Sequence, residues 1–483
     1  MTKGTSWLAA LLITTIAAWG QRAPDVQHYN LVYIMADDLG KEWISCYGAE
    51  DIETPNIDAL AASGMKFHNF YSMPQCTPTR VSLLTSQYPY RHGWVNHWDV
   101  PRWGAGCSFD PQLNPCFPGA IRDAGYATAA AGKWQIDDFR VEPNAMRDAG
   151  FDAYCMWTGY ETGNRPSAKR YSDPYVYQDG QAKTLAGEFG PDVYADYLID
   201  FLGRNKDQPM FLYFSMALPH GPVVATPDEP EASSRLDKHK AMVRYIDKLV
   251  GRMVAAIDEN GLRRNTIVVF TTDNGSGSEF SGTRHGQVVA GGKGRTSESG
   301  INAPFVVSCP GRIPGGVESY AIADVTDIAP SFCEIAGVDA VDERCDGVSL
   351  LPVLEGRAER SARPWILAMG GGNAAKVTDA GVENQHWFRD RVLRNERFKA
   401  CIGTERQLVK MVDLKSSTPG RDVQHVEIPD VQAAKKMFLD AVAAMPEVDA
   451  DPIYEALEHR DWYLKPSAKS GVWKQGNPGP SDR

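Results

Sequence analysis

Leu31-Val32-Tyr33-Ile34-Met35-Ala36 runs straight into Asp37-Asp38-Leu39-Gly40, and Thr266-Ile267-Val268-Val269-Phe270-Thr271-Thr272 runs into Asp273-Asn274-Gly275. A short apolar run rich in β-branched and aromatic residues, stopped abruptly by polar ones, reads as a strand buried on both faces of a parallel sheet. Two further runs end alike: Tyr126 to Ala131 leads to Gly132-Lys133-Trp134-Gln135, and Met210 to Leu218 leads to Pro219-His220-Gly221-Pro222. In open α/β sheets ligands bind outside the carboxyl ends of the strands, so these four ends predict one shared site.

Between the strands, Pro55-Asn56-Ile57-Asp58-Ala59-Leu60-Ala61 and the amphipathic stretch from Asp237 to Asn260, stopped by Gly261, read as helices. The alternation predicts an α/β fold over residues 24–360, with a mostly parallel central sheet flanked by helices. Beyond about residue 360 the pattern changes, and a smaller C-terminal α+β subdomain is expected over 361–466. There Arg391 to Ile402 and Gln407 to Leu414 read as the strands of a hairpin, and Val431 to Met445 as a helix. Residues 467–483, rich in Gly, Pro and Ser, read as an extended or disordered tail.

The 483 residues, 43% of them hydrophobic and 23% charged, form an ordinary globular composition that excludes a fibrous or disordered chain. Fifty Lys and Arg against 61 Asp and Glu give a formal charge of −11, so no nucleic-acid partner is expected and an anionic substrate needs a local basic pocket. Lys3, the apolar stretch Trp7 to Trp19 and the small Ala18 and Gly20 read as a signal peptide over residues 1–20. That stretch is shorter than the roughly 20 residues of a bilayer span, so a secreted or periplasmic protein without a stable membrane anchor is expected. Nine cysteines in an exported chain suggest oxidation, and the odd number leaves one over. Cys107 with Cys116, and Cys333 with Cys345, are the local pairings to expect, while buried free thiols stay open for each.

Asp37, Asp38, Asp273 and Asn274 form an all-oxygen donor set, which suits a hard cation, calcium before magnesium, and argues against zinc or copper. One Asp at a strand end more often caps the following helix, but two pairs at two strand ends outweigh that reading. Cys76-Thr77-Pro78-Thr79-Arg80 precedes the apolar run Val81-Ser82-Leu83-Leu84-Thr85. Proline near a helix start places Cys76 at the helix N-terminus, where orphan amides favour negative charge. On the residues alone, a disulfide partner or an inert thiol stays open at Cys76.

Cys76-Thr77-Pro78-Thr79-Arg80 resembles the signature of the formylglycine-dependent sulfatases, and Leu84-Thr85-Ser86-Gln87-Tyr88-Pro89-Tyr90-Arg91-His92-Gly93 resembles the second half of that family's pattern. Asp37-Asp38, Gly132-Lys133-Trp134, Pro219-His220, Asp273-Asn274-Gly275 and Gly291-Gly292-Lys293-Gly294 occur in the family's order. The resemblance spans residues 28–425 and implies an alkaline-phosphatase-like fold that hydrolyses sulfate esters. It implies that a maturation enzyme oxidises Cys76 to formylglycine, whose hydrate attacks sulfur beside calcium bound by Asp37, Asp38, Asp273, Asn274 and modified Cys76. It further implies that Arg80 holds and neutralises the hydrate, that Lys133 and Lys293 bind sulfate oxygens, and that His220 protonates the leaving alcohol.

At Gln135 this chain departs from the family, many of whose members carry histidine two residues after the lysine. An amide only donates and accepts hydrogen bonds, so Gln135 is expected to orient the hydrate while another group takes the proton. A phosphatase or a phosphonate or phosphodiester hydrolase on the same scaffold is the alternative reaction, and an unmodified protein that only binds sulfate esters is the non-enzymatic one. Export makes a sulfated carbohydrate or small molecule the expected substrate. Trp94, Trp98, Trp103 and Trp157 are candidate sugar platforms, each more often core, and His97, Arg102 and His285 are weaker candidates for contact.

Overall fold

The computed structural model describes residues 28–453 apart from 97–108, 138, 140–141, 158–169, 340–343, 371–374, 379–380, 385–386, 417 and 419. The strands are β1 (Asn30–Ala36), β2 (Met65–Tyr71), β3 (Ala127–Lys133), β4 (Ala153–Trp157), β5 (Tyr175–Gln178), β6 (Gln181–Thr184), β7 (Met210–Ser215), β8 (Thr266–Thr272), β9 (Ser281–Arg284), β10 (Gln287–Ala290), β11 (Asn302–Ser308) and β12 (Val317–Asp324). Ten of them make one sheet in the order β12-β2-β11-β8-β1-β7-β3-β4-β5-β6, while β9 and β10 form a separate hairpin. From β8 to β4 the neighbours are all parallel. Antiparallel pairing enters at β11 on one flank and at β5 and β6 on the other.

Side chains of a strand alternate between faces, and here both faces are covered. Leu31, Tyr33 and Met35 of β1 belong to one apolar core, and Val32, Ile34 and Ala36 to a second on the opposite face. The second core is roofed by helices Gly190–Arg204 and Arg235–Glu259. Ser234 caps the longer of these by accepting the amide of Asp237 at 3.0 Å. Asp247 of that same helix accepts the amides of Asn56 (3.2 Å) and Ile57 (2.8 Å), so its carboxylate satisfies the start of α1 (Pro55–Ala62).

C-terminal strands β13 (Ile366–Met369), β14 (Ala375–Thr378), β15 (Gly381–Asn384), β16 (Arg391–Arg394), β17 (Phe398–Ile402) and β18 (Leu408–Asp413) precede the helix Pro429–Ala444. β13-β16-β17-β18 is a small antiparallel sheet. The run Arg391 to Ile402, expected as one strand, is split in two. Asn395 Oδ1 accepts the amides of Arg397 (2.9 Å) and Phe398 (2.6 Å), so a side chain closes a turn inside the apolar run. No helix among the described residues is long and apolar enough to cross a membrane. The expected signal peptide and tail lie outside the described residues.

Candidate functional site

The carboxyl ends of the adjacent parallel strands β8, β1, β7 and β3 open on one edge of the sheet. Asp37 and Asp38 leave β1 consecutively, and in extended backbone their side chains would face opposite ways. Asp38 instead adopts a left-handed conformation, φ 66°. That turn brings both carboxylates to one place: ligand atoms of Asp37, Asp38 and His220 lie within 4.8 Å of one another, as do those of Asp37, Cys76 and Asp273. Asp273, just past β8, accepts the Asp38 amide at 3.1 Å, and Asn274 Nδ2 donates to Asp38 Oδ1 at 2.7 Å.

Cys76 opens helix α2 (Cys76–Thr85), every residue of which is buried, and the preceding Gln75 supplies no side-chain cap. Thr79 fastens this helix start to the acidic cluster, its hydroxyl lying 2.7 Å from the carbonyl of Asp273. One turn on, Arg80 donates to Asp273 Oδ2 at 2.7 Å, to the Lys133 carbonyl at 3.1 Å and to Ser215 Oγ. Burial would lower the guanidinium's pKa, but Tyr213, Asp273 and Asp37 outweigh it and raise the value. Arg80 is thus a fixed cation that joins three strand ends.

Two lysines complete the balance. Lys133 Nζ donates to Asp37 Oδ2 at 2.5 Å, and Lys293 Nζ to Asp38 Oδ2 at 2.7 Å. Burial works against the Lys293 charge, but Asp38 and Asp37 raise its pKa. His220 follows β7 with Nε2 3.7 Å from Asp38 Oδ2 and Nδ1 2.8 Å from the Gly221 carbonyl. A carbonyl only accepts, so Nδ1 carries the hydrogen and Nε2 faces the acidic cluster. Burial first, then Lys293, holds this imidazole well below its usual pKa, so the ring rests neutral. Gln135 takes a left-handed turn, φ 57°, two residues after Lys133, and its carbonyl accepts from Thr77 Oγ1 at 3.3 Å.

The donor set fits a hard cation. Asp37 Oδ1 and Asn274 Oδ1 are buried and accept no hydrogen bond among the described residues, a costly state that an oxygen-seeking ion relieves. Burial and the Asp37 charge together push the Asp273 carboxyl up, and a dication would restore its ionisation. Asp37, Asp38 and Asp273 meet Arg80, Lys133 and Lys293 at short range. With Asp273 ionised the three carboxylates balance the three cations, and the added dication would leave the net positive charge that an anionic substrate needs.

The family model described as Sulfatase matches residues 29–338. The chain belongs to the sulfatase family. N-acetylgalactosamine-6-sulfatase of Sus scrofa is 31% identical over 408 residues, covering 80% of this chain and 76% of the relative. Among solved structures, Ps i-CgsB in complex with k-i-k-neocarrahexaose shares the fold with a TM-score of 0.72 at 22% identity, covering 89% of this chain and 95% of that one. The phosphonate monoester hydrolase of Silicibacter pomeroyi also shares it, with a TM-score of 0.61 at 19% identity over 87% of this chain and 96% of that one.

Several expectations for this sulfatase change. Cys116 and Cys333 are free thiols, so neither local disulfide forms; Cys116 Sγ instead donates to the Asn114 carbonyl at 3.3 Å. Trp94 is fully buried edge-on to Phe109, and Trp157 is buried under the Arg170 guanidinium, so neither offers a face to a sugar. His285 is exposed in the turn between β9 and β10, its amide donating to Gly48. Trp98, Trp103, His97, Arg102 and Cys107 lie outside the described residues. Sequence reading missed Thr79, Ser215, Arg170 and Tyr171; only Ser215, the last residue of an apolar strand, carried a local signal.

Proposed function

We propose that this sulfatase releases sulfate from sulfated carbohydrates, using calcium held by Asp37, Asp38, Asp273 and Asn274 and a formylglycine made from Cys76. The observation that carries the reading is the pair of buried acceptors, Asp37 Oδ1 and Asn274 Oδ1, that take no hydrogen bond beside Cys76 and Asp273. When in place, calcium and the formylglycine hydrate supply a Lewis acid and two hydroxyls on one carbon, which a thiol cannot offer.

The chain's own groups do the rest. Arg80, locked by Asp273 and Ser215, presents a permanent positive charge at the first turn of α2. Lys133 and Lys293 each hold a carboxylate with one N–H, and an ammonium has three, so both can also bind sulfate oxygens as charge builds in the transition state. Burial and the nearby Lys293 keep His220 neutral at rest, and negative charge building on the leaving oxygen would favour a proton at Nε2, the atom placed to pass it on. Gln135 orients neighbouring groups and takes no proton.

The N-acetylgalactosamine-6-sulfatase relative supports a sulfated amino sugar as the substrate. Maturation by a formylglycine-generating enzyme and export through residues 1–20 belong to the same reading. Two measurements test it: digest mass spectrometry of the Cys76 peptide from natively produced protein, and sulfate against phosphate release from matched aryl esters and from N-acetylgalactosamine 6-sulfate. An unmodified thiol in active protein, or faster phosphate release, would overturn it.

A further inference from the structure

The loop that carries His220 is gripped from one side by two consecutive residues. Arg170 Nη2 donates to the Gly221 carbonyl, the same oxygen that accepts His220 Nδ1 at 2.8 Å. The Tyr171 hydroxyl lies 2.6 Å from the His220 carbonyl and 2.7 Å from that of Ala217. One side chain thus holds the carbonyl of His220 and its neighbour holds the next. Arg170 is only 2% exposed, packed over the Trp157 ring at 4.5 Å. Trp157 ends β4 opposite Lys133, so the guanidinium is anchored to the rigid sheet beside the site.

An arginine this deep is costly unless paired. Arg170 makes no ion pair with a carboxylate among the described residues, and its buried Nε finds no acceptor. Among the described residues its hydrogen bond goes to one backbone carbonyl, while its charge lies over the Trp157 and Tyr171 rings. A carbonyl oxygen has two lone pairs, and here one serves Arg170 and the other His220. The guanidinium fixes the peptide plane, the plane fixes the acceptor for Nδ1, and the acceptor fixes both ring orientation and tautomer.

We propose that Arg170, assisted by Tyr171, is a positioning residue that aims Nε2 of His220 at the leaving oxygen and contributes to turnover only through that ring. The inference rests on the reading of His220 as proton donor.

The test compares matured full-length wild type, R170Q, R170K, H220N and R170Q/H220N on 4-nitrophenyl sulfate, whose leaving group needs no proton, and 4-methoxyphenyl sulfate, whose leaving group gains from one. R170Q should lower kcat on the poorer leaving group roughly 10- to 100-fold, as misplacement of a catalytic group does, with KM little changed and a much smaller loss on the nitrophenyl ester. R170K should recover part of the loss, and R170Q should add nothing to H220N. Imidazole ¹⁵N shifts should show the Nδ1-protonated ring of His220 in wild type and its loss in R170Q. Equal losses on both esters, or additive losses in the double variant, would overturn the proposal. If H220N itself treats the two esters alike, the proton-donor reading falls first; if H220N discriminates and R170Q does not, that reading stands and Arg170 has no positioning role. Should R170Q not fold, R170K and Y171F carry the same comparison.

Discussion

Asn274 does two jobs with one amide: Nδ2 holds Asp38 Oδ1 at 2.7 Å, while Oδ1 is buried without a hydrogen-bond donor. On the calcium reading proposed above, N274A should therefore weaken calcium binding by at least roughly 10- to 100-fold, the loss typical even of outer-sphere partners. Calorimetric titration of chelator-treated protein measures it, and unchanged affinity would remove Asn274 from the ligand set. Lys293 is tied to Asp38 yet keeps spare donors, so K293A should cost about 10²–10³ in kcat, like other donors aimed at transition-state charge. Calcium affinity in K293A should fall far less than kcat, and a parallel fall in both would make Lys293 a support for Asp38 only. The strand-end residues were legible because an apolar run broken by charge fits little besides a buried strand that ends at a polar site. Arg170 and Tyr171 were not, because nothing in their local sequence marks them; only tertiary packing brings them against His220.

At the scale of elements, the C-terminal sheet is fastened to the main one next to the loop that carries Lys293, with Lys399 donating to the Thr296 carbonyl at 2.6 Å. The short helix Glu298–Ile301 does this: Glu298 accepts from Tyr71 of β2 at 2.8 Å and from Lys399 of β17 at 3.1 Å. Burial would raise its pKa, but Lys399, Arg394 and Tyr71 outweigh that and bring it from 4.5 to about 2. A depressed carboxylate stabilises the fold above its unfolded value, and that contribution is lost as pH falls through the folded one. Wild type should therefore melt above E298Q at pH 6, and the gap should narrow steadily from about pH 4.5 downward, as differential scanning calorimetry would read. A gap that stays constant to pH 3 would mean the carboxylate charge does not fasten the sheets. Element boundaries show where sequence reading stops: the runs ending at Asp37 and Asp273 read cleanly, whereas the turn at Asn395 was hidden because a side chain, not a glycine or proline, closes it.

Across the whole molecule, the central sheet separates two cores, and the C-terminal sheet shares one of them. Leu367, Leu393, Phe398, Met411 and Phe438 belong to the same apolar cluster as Leu31 and Tyr33 of β1. The change of pattern near residue 360 is thus a change of architecture that leaves the core continuous. Arg363 sits at that seam, donating to both oxygens of Asp327 at 3.0 and 3.1 Å, to the Tyr88 hydroxyl at 2.7 Å and to Thr326 Oγ1 at 2.9 Å. Its loss would strand buried carboxylates, so R363M should cost about 3–5 kcal/mol. Because the core is shared, the loss should appear as one shifted transition: urea unfolding followed by tryptophan fluorescence and by near-ultraviolet dichroism should give coincident midpoints in wild type and variant alike. Two separated transitions in wild type, one of them unmoved by R363M, would show that the C-terminal sheet folds on its own core and that the catalytic strands do not need it.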